Sequence, residues 1–208
     1  MPKKFEKEFI SYCEIQNLEV NPNQIKVIKK LEDYHNSNYK SFFSKLFSKQ
    51  KTKKGFYLYG GVGVGKTMIL NFFYDHLEEK KLKKHFNEFM LGFHDFVHEQ
   101  KEKNEENIIN QFVKNLKSKA SLVYFDEFQV TNIVDAMILG KLFEEIFKED
   151  IKIILTSNIK ISELYKEGLQ REQFIPFIKI MEDQSIEYEL KIEDDYRKSN
   201  DNQKQRYF

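Results

Sequence analysis

From residue 55 onward, apolar positions follow two alternating rhythms. Short unbroken apolar runs occur at "FYLY" (56–59), "SLVYF" (121–125) and "IKIILTS" (151–157). Their length and their β-branched and aromatic content are those of strands buried on both faces. Between and beyond them, apolar residues recur every three or four positions over 65–80, 88–100, 108–120, 132–148 and 171–183, which predicts amphipathic helices. "KKHFN" (83–87) and "SIEYEL" (185–190) read as further strands, and 161–168 as a short helix closed by Gly168. Strands alternating with helices predict an α/β fold: three layers around a mainly parallel sheet.

The first 54 residues read differently. Residues 1–20 are mixed, compatible with a strand or a short helix. In "NPNQIKVIKKLEDY", Asn21 suits an N-cap and Pro22 the first helical position, and Ile25, Ile28, Leu31 and Tyr34 share one helical face. "HNSNYKS" (35–41) reads as a polar break, and Phe42, Phe43, Leu46 and Phe47 as a second short helix. "SKQKTKK" (48–54) and "KEKNEEN" (101–107) read as solvated connectors, and "DNQKQRYF" (201–208) as a disordered tail. The expected organisation is a helical N-terminal extension (1–54), a core (55–197) and a tail (198–208).

Composition narrows the class. Thirty-four basic residues against 33 acidic ones leave a net charge of +1, which argues against a protein that coats nucleic acid. Cys13 is the only cysteine, so the chain holds no disulfide and no cysteine zinc site, as in a reducing compartment. The start is charged, and no apolar run approaches the ~20 residues a membrane span requires. A soluble, cytoplasmic protein is expected. Lysine is the default cation; the three arginines are Arg171, Arg197 and Arg206. In such a chain an arginine marks a place where a planar fork of donors is useful.

The glycines carry the first chemical signal. Five of the eight fall between Gly55 and Gly65. Gly60-Gly61-Val62-Gly63-Val64-Gly65-Lys66-Thr67 matches the phosphate-binding loop G-x-x-x-x-G-K-[ST], with a buried strand before it and an amphipathic helix after it. Glycine lets such a loop turn its N–H groups around phosphate oxygens, and the helix dipole adds to the attraction. Gly60 to Thr67, with Met68 following, are therefore the expected nucleotide contacts. Lys66 would bridge the β- and γ-phosphates, and Thr67 would ligate Mg²⁺.

The second signal is "SLVYFDEF", a buried strand ending in Asp126-Glu127. Asp126 would serve the Mg²⁺ ion, and Glu127 would polarise the water that attacks the γ-phosphate. No N-K-x-D follows to read guanine, so ATP is the expected nucleotide. Asn158, after the strand "IILTS", suits contact with the γ-phosphate or the attacking water; a plain loop-start asparagine is the alternative. Arg171 suits an arginine finger offered to a neighbouring subunit, worth ~10³–10⁵ in rate; an internal salt bridge is the alternative.

Taken together, "YLYGGVGVGKTMIL", "FNEFMLGFHDFVHE", "FDEFQVTNIVDAMILGKLFEEIF", "TSN", "LYKEGLQREQFIPFI" and "EDDYR" closely resemble the ZapE or AFG1-type family of P-loop, AAA+-like ATPases, from about Gln24 to Arg197. The resemblance implies ATP hydrolysis with Mg²⁺, catalysis by Lys66, Glu127, Asn158 and Arg171, and metal binding by Thr67 and Asp126. It also implies a homo-oligomer and a protein partner, with the bacterial division ring or quality control of inner-membrane proteins as settings. Asn21 to Gln24 resembles a family pattern that helps hold the adenine. The chain ends eleven residues after Arg197, so no C-terminal helical lid is expected. Two other functions compete: an adaptor that holds nucleotide without turnover, and a DNA-associated ATPase of the helicase-loader type.

Two further features read as structural. His94 and His98 are four apart on a helix, but no third ligand accompanies them and no glutamate follows the first. The twenty phenylalanines read as core rather than as a stacking surface for single strands. Asp135 has no assigned role beyond capping its helix.

Overall fold

The computed structural model describes residues 4–39, 52–100 and 104–192. The expected helix at 42–47, part of each connector, Arg197 with its D-Y-R element, Arg206 and the tail lie outside these residues.

Five parallel strands form one sheet: β1 (Gly55–Gly60), β2 (Lys81–His85), β3 (Leu122–Asp126), β4 (Lys152–Ser157) and β5 (Ser185–Leu190), in the order β2-β3-β4-β1-β5. Helices α1 (Lys4–Ile15), α2 (Pro22–Tyr39) and α3 (Lys66–Asp75) cover one face. Helices α4 (Phe86–Glu99), α5 (Glu105–Lys119), α6 (Ile133–Lys148) and α7 (Arg171–Gln184) cover the other. The fold is the expected three-layer α/β arrangement with a parallel sheet.

The central strands β3 and β4 are buried at every residue, which is why they read as unbroken apolar runs. Alternation along β3 divides its side chains between two cores. Val123 and Phe125 join α4 to α7, while Leu122 and Tyr124 face α1 to α3. Helix α1 docks through Phe5 and Phe9, whose rings lie 5.4 Å from Phe73 and 5.0 Å from Phe72 of α3. A buried aromatic side chain stabilises by about 1.5–3 kcal/mol, so two such rings suffice to seat the helix. The N-terminal segment is thus packed on the back of the helix that follows the glycine-rich loop.

Four expectations need correction. The polar stretch at 35–39 continues α2: Ser37 and Asn38 donate to the carbonyls of Asp33 and Tyr34, and Asn38 also donates to the Lys53 carbonyl. Helix α3 ends at Asp75 rather than near 80. There Lys81 donates to the Tyr74 and Leu77 carbonyls, both at 2.6 Å, closing the helix C-terminus from β2. Residues 161–168 form only a 3-10 turn (Ile161–Glu163). Tyr165 takes a left-handed conformation, φ 54°, and its ring lies where a Gly168 side chain would go. Strand β2 also starts two residues before the expected "KKHFN".

Candidate active site

The site sits at the C-terminal edge of the sheet, where open α/β sheets take ligands. Strand β1 delivers the chain to Gly60 and α3 takes it up at Lys66. Two glycines are obligatory for spatial reasons. A Cβ on Gly60 would run into the Leu190 carbonyl of β5, and Gly65 has φ 90° with the Gln24 side-chain nitrogen 2.7 Å from where its Cβ would be. Gln24 of α2 donates to the Val64 carbonyl at 3.1 Å, so the N-terminal segment braces the loop directly. The other end of that amide, Oε1, is buried without a partner. Helix α3 begins with no side-chain cap and no acidic residue in its first turn. Its leading N–H groups and the positive end of its dipole are left for an anion.

Lys66 is 8% exposed, and its ammonium donates to the Gly60 carbonyl (2.9 Å), the Gly61 carbonyl (2.6 Å) and Asn158 Oδ1 (2.9 Å). All three acceptors are neutral. Burial pushes its pKa below the usual lysine range, an effect that Asp126 partly offsets. A buried cation on neutral partners is a receptor for added negative charge.

At the tip of β3, Asp126 is buried and its Oδ1 accepts from Thr67 (3.0 Å) and Thr156 (2.6 Å). The Thr156 hydroxyl in turn accepts from the Glu127 N–H at 2.9 Å, and the Thr156 carbonyl accepts from the Phe128 N–H at 2.7 Å. Ser157 closes the stitch by donating to the Phe128 carbonyl. These bonds fasten β3 to β4 beyond their ladder and hold Glu127 in a left-handed conformation, φ 56°. A non-glycine residue in that region costs about 1 kcal/mol or more and persists where surrounding bonds impose it. The turn leaves Glu127 exposed, beside a cavity of about 520 Å³.

Val62, Gly63 and Gly65–Met68 bound that cavity on one side, Glu127–Gln129 and Thr156–Ile159 on the others. The donor set fits a nucleotide with a hard divalent cation. Thr67 and Asp126 present hydroxyl and carboxylate oxygens together, the hard donors that would hold Mg²⁺. Among the described residues no three histidine, cysteine or acidic side chains cluster as a metal site.

Arg171 lies elsewhere. It opens α7, donates from Nη2 to the Ser162 carbonyl at 2.9 Å and does not border the cavity. Its Nε is buried without a partner, and no carboxylate among the described residues pairs with it. Beside it Leu169 is 75% exposed. The structure therefore brings Lys66, Thr67, Asp126, Glu127 and Asn158 together and leaves Arg171 outside.

Residues 11–208 match the family described as AFG1-like ATPase. The chain belongs to the AFG1-like ATPase family. Lactation elevated protein 1 homolog B of Danio rerio is 39% identical over 161 residues, covering 73% of this chain and 32% of that protein. Cell division protein ZapE of Escherichia coli is 40% identical over 134 residues, covering 63% of this chain and 35% of that protein. The chain thus spans about a third of the length of these curated relatives. Among solved structures, the DnaC helicase loader matches with a TM-score of 0.56 at 15% identity, covering 83% of this chain and 92% of that one, a likeness of fold.

In this member of the AFG1-like ATPase family the sequence reading missed Thr156, Ser157 and Gln129. Thr156 was within reach: it is the polar residue that interrupts the apolar run of β4 one position before the strand ends. His94, weighed as a metal ligand, instead hydrogen-bonds Asp135 Oδ1 at 2.7 Å, which gives Asp135 its role. Asn132, not Asp135, caps α6.

Proposed function

We propose that this chain is the core of an AAA+-like ATPase that binds and hydrolyses ATP with Mg²⁺ and spends the energy on remodelling a protein partner. The observation that carries the reading is the convergence of Lys66, Thr67, Glu127 and Asn158 on one cavity under an uncapped helix N-terminus, with Asp126 hydrogen-bonded to Thr67 at its edge. In this reading residues 55–197 are the ATPase core and 1–54 a helical extension.

The roles follow from the chemistry. Lys66 exchanges its three neutral oxygens for phosphate oxygens, which frees Asn158 to face the γ-phosphate or the attacking water. Thr67 and Asp126 hold the cation, which when bound neutralises charge that develops on the transferred phosphoryl group. Glu127 accepts the proton of the attacking water; positioned general bases contribute typically 10²–10⁴ in rate. Gln24 and Asn21 help hold the adenine, consistent with the buried, unpaired Gln24 Oε1.

Arg171 acts in trans within a homo-oligomer, reaching the γ-phosphate of the adjacent subunit. Its distance from its own cavity, its fork and its exposed surroundings support that role. The name of the Escherichia coli relative, a cell division protein, supports a partner in cell division.

The test is turnover per subunit across a range of protein concentrations, for the parent, Glu127→Gln and Arg171→Ala. A rise with concentration that both substitutions abolish is expected. Nucleotide binding without hydrolysis at any concentration makes the chain an adaptor, and stimulation by single-stranded DNA favours the helicase-loader type.

A further inference from the structure

Three tyrosines are among the largest fully buried side chains: Tyr34, Tyr57 and Tyr124. Two of them satisfy their hydroxyls on backbone carbonyls, Tyr34 on Lys54 at 2.7 Å and Tyr57 on Ile159 at 2.6 Å. The Tyr124 hydroxyl is buried and makes no hydrogen bond of good geometry, although Asp126 and Thr67 lie close enough to interact with it. Buried hydroxyls are rarely left so, and an orphan asks for an account of what completes it.

Its place in the fold supplies one. Tyr124 precedes Asp126 by two residues on β3, so both side chains project from the same face of the sheet, toward α3. The ring is fixed: it lies 5.9 Å from the Tyr74 ring of α3 and under the Lys83 ammonium, 5.0 Å from the ring centroid. Lys83 is itself tied to Asn71 of α3 at 2.6 Å. The hydroxyl is carried toward the helix end that bears Thr67, and Asp126 and Thr67 are the polar side chains beside it. Asp126 Oδ1 already accepts from Thr67 and Thr156. A phenylalanine would fill the same space and leave no orphan.

We propose that Tyr124 is a positioning residue for the divalent cation, its hydroxyl donating to the Asp126 carboxylate when that carboxylate turns to serve the ion. This rests on the reading that Thr67 and Asp126 hold the cation. The poorly formed Tyr124–Asp126 contact in the unloaded site and the well-formed one in the loaded site are then two states of one contact. Groups that orient a ligating side chain from behind typically govern metal affinity by 10–100-fold.

The experiment titrates Mn²⁺ into the full chain loaded with ADP, with free Mn²⁺ read by electron paramagnetic resonance. Parent, Tyr124→Phe and Thr67→Ala are compared, with ADP affinity in chelator and the melting temperature measured beside them. Tyr124→Phe is expected to weaken Mn²⁺ about tenfold, to leave metal-free ADP affinity unchanged and to melt no lower than the parent. Mn²⁺ affinity within twofold of the parent, while Thr67→Ala has lost it, overturns the proposal. A lower melting temperature for Tyr124→Phe overturns it too, because the hydroxyl would then be bonded without the ion. If Thr67→Ala binds Mn²⁺ like the parent, the cation reading fails and this inference with it.

Discussion

Two helices start at the same edge of the sheet, each after a buried strand, and their N-termini are built in opposite ways. At α6, Asn132 Oδ1 accepts the Asp135 N–H at 2.8 Å, and Asp135 Oδ2 accepts the Asn132 side-chain amide at 2.6 Å. His94 of α4 then donates to Asp135 Oδ1, so a carboxylate belonging to the chain fills the positive end of that helix. At α3 there is neither cap nor acid, only a left-handed glycine and a buried lysine on neutral oxygens. The fold could have closed both ends with the same devices. Leaving one open forgoes about 1 kcal/mol of capping and creates a seat for a charge that must come from outside.

The largest effect that sharpens this contrast is on Glu127, which stands beside the open end and not the closed one. Glu127→Gln is expected to cut ATP turnover by ~10²–10⁴ while ATP still binds, measured by phosphate release and by equilibrium binding.

Gly65→Ala comes next. The strained left-handed φ of 90° and the crowding against Gln24 penalise a Cβ by roughly 1–2 kcal/mol. ATP affinity should therefore fall about tenfold, seen by calorimetry.

At the closed end the consequences should fall on stability. Asn132→Ala removes the α6 cap and is expected to cost about 1 kcal/mol, roughly 2–4 °C in melting temperature for a chain of this size, with ATP affinity unchanged. His94→Ala should do least, about 0.5 kcal/mol, because the histidine of that pair is partly exposed. A loss of ATP binding in either variant would break the comparison.

The same contrast explains what was legible beforehand. The open end is written locally: the loop motif, Asp126-Glu127 and the buried runs of β1, β3 and β4 are contiguous strings whose residue types have few other uses. The α/β class followed from them. What lay beyond reach depends on partners far along the chain. Helix α3 stops early because Lys81, on the next strand, binds the carbonyls of its last two residues, Tyr74 and Asp75. Residues 35–39 stay helical because their polar side chains find carbonyls, one of them fifteen residues away. The turn at 161–168 forms because Tyr165 packs over Gly168, not because the helical pattern is weak. Thr156 reads as a strand residue until β3 and β4 are aligned, and only then does it meet both Asp126 and Glu127.

The most direct test of the open end is a calorimetric titration of ATP with Mg²⁺ into the parent, Lys66→Ala and Asn132→Ala. The account predicts that Lys66→Ala loses binding by at least tenfold while Asn132→Ala keeps the parent Kd. Equal Kd values for the parent and Lys66→Ala would contradict it, since the buried lysine would then have no anion to receive.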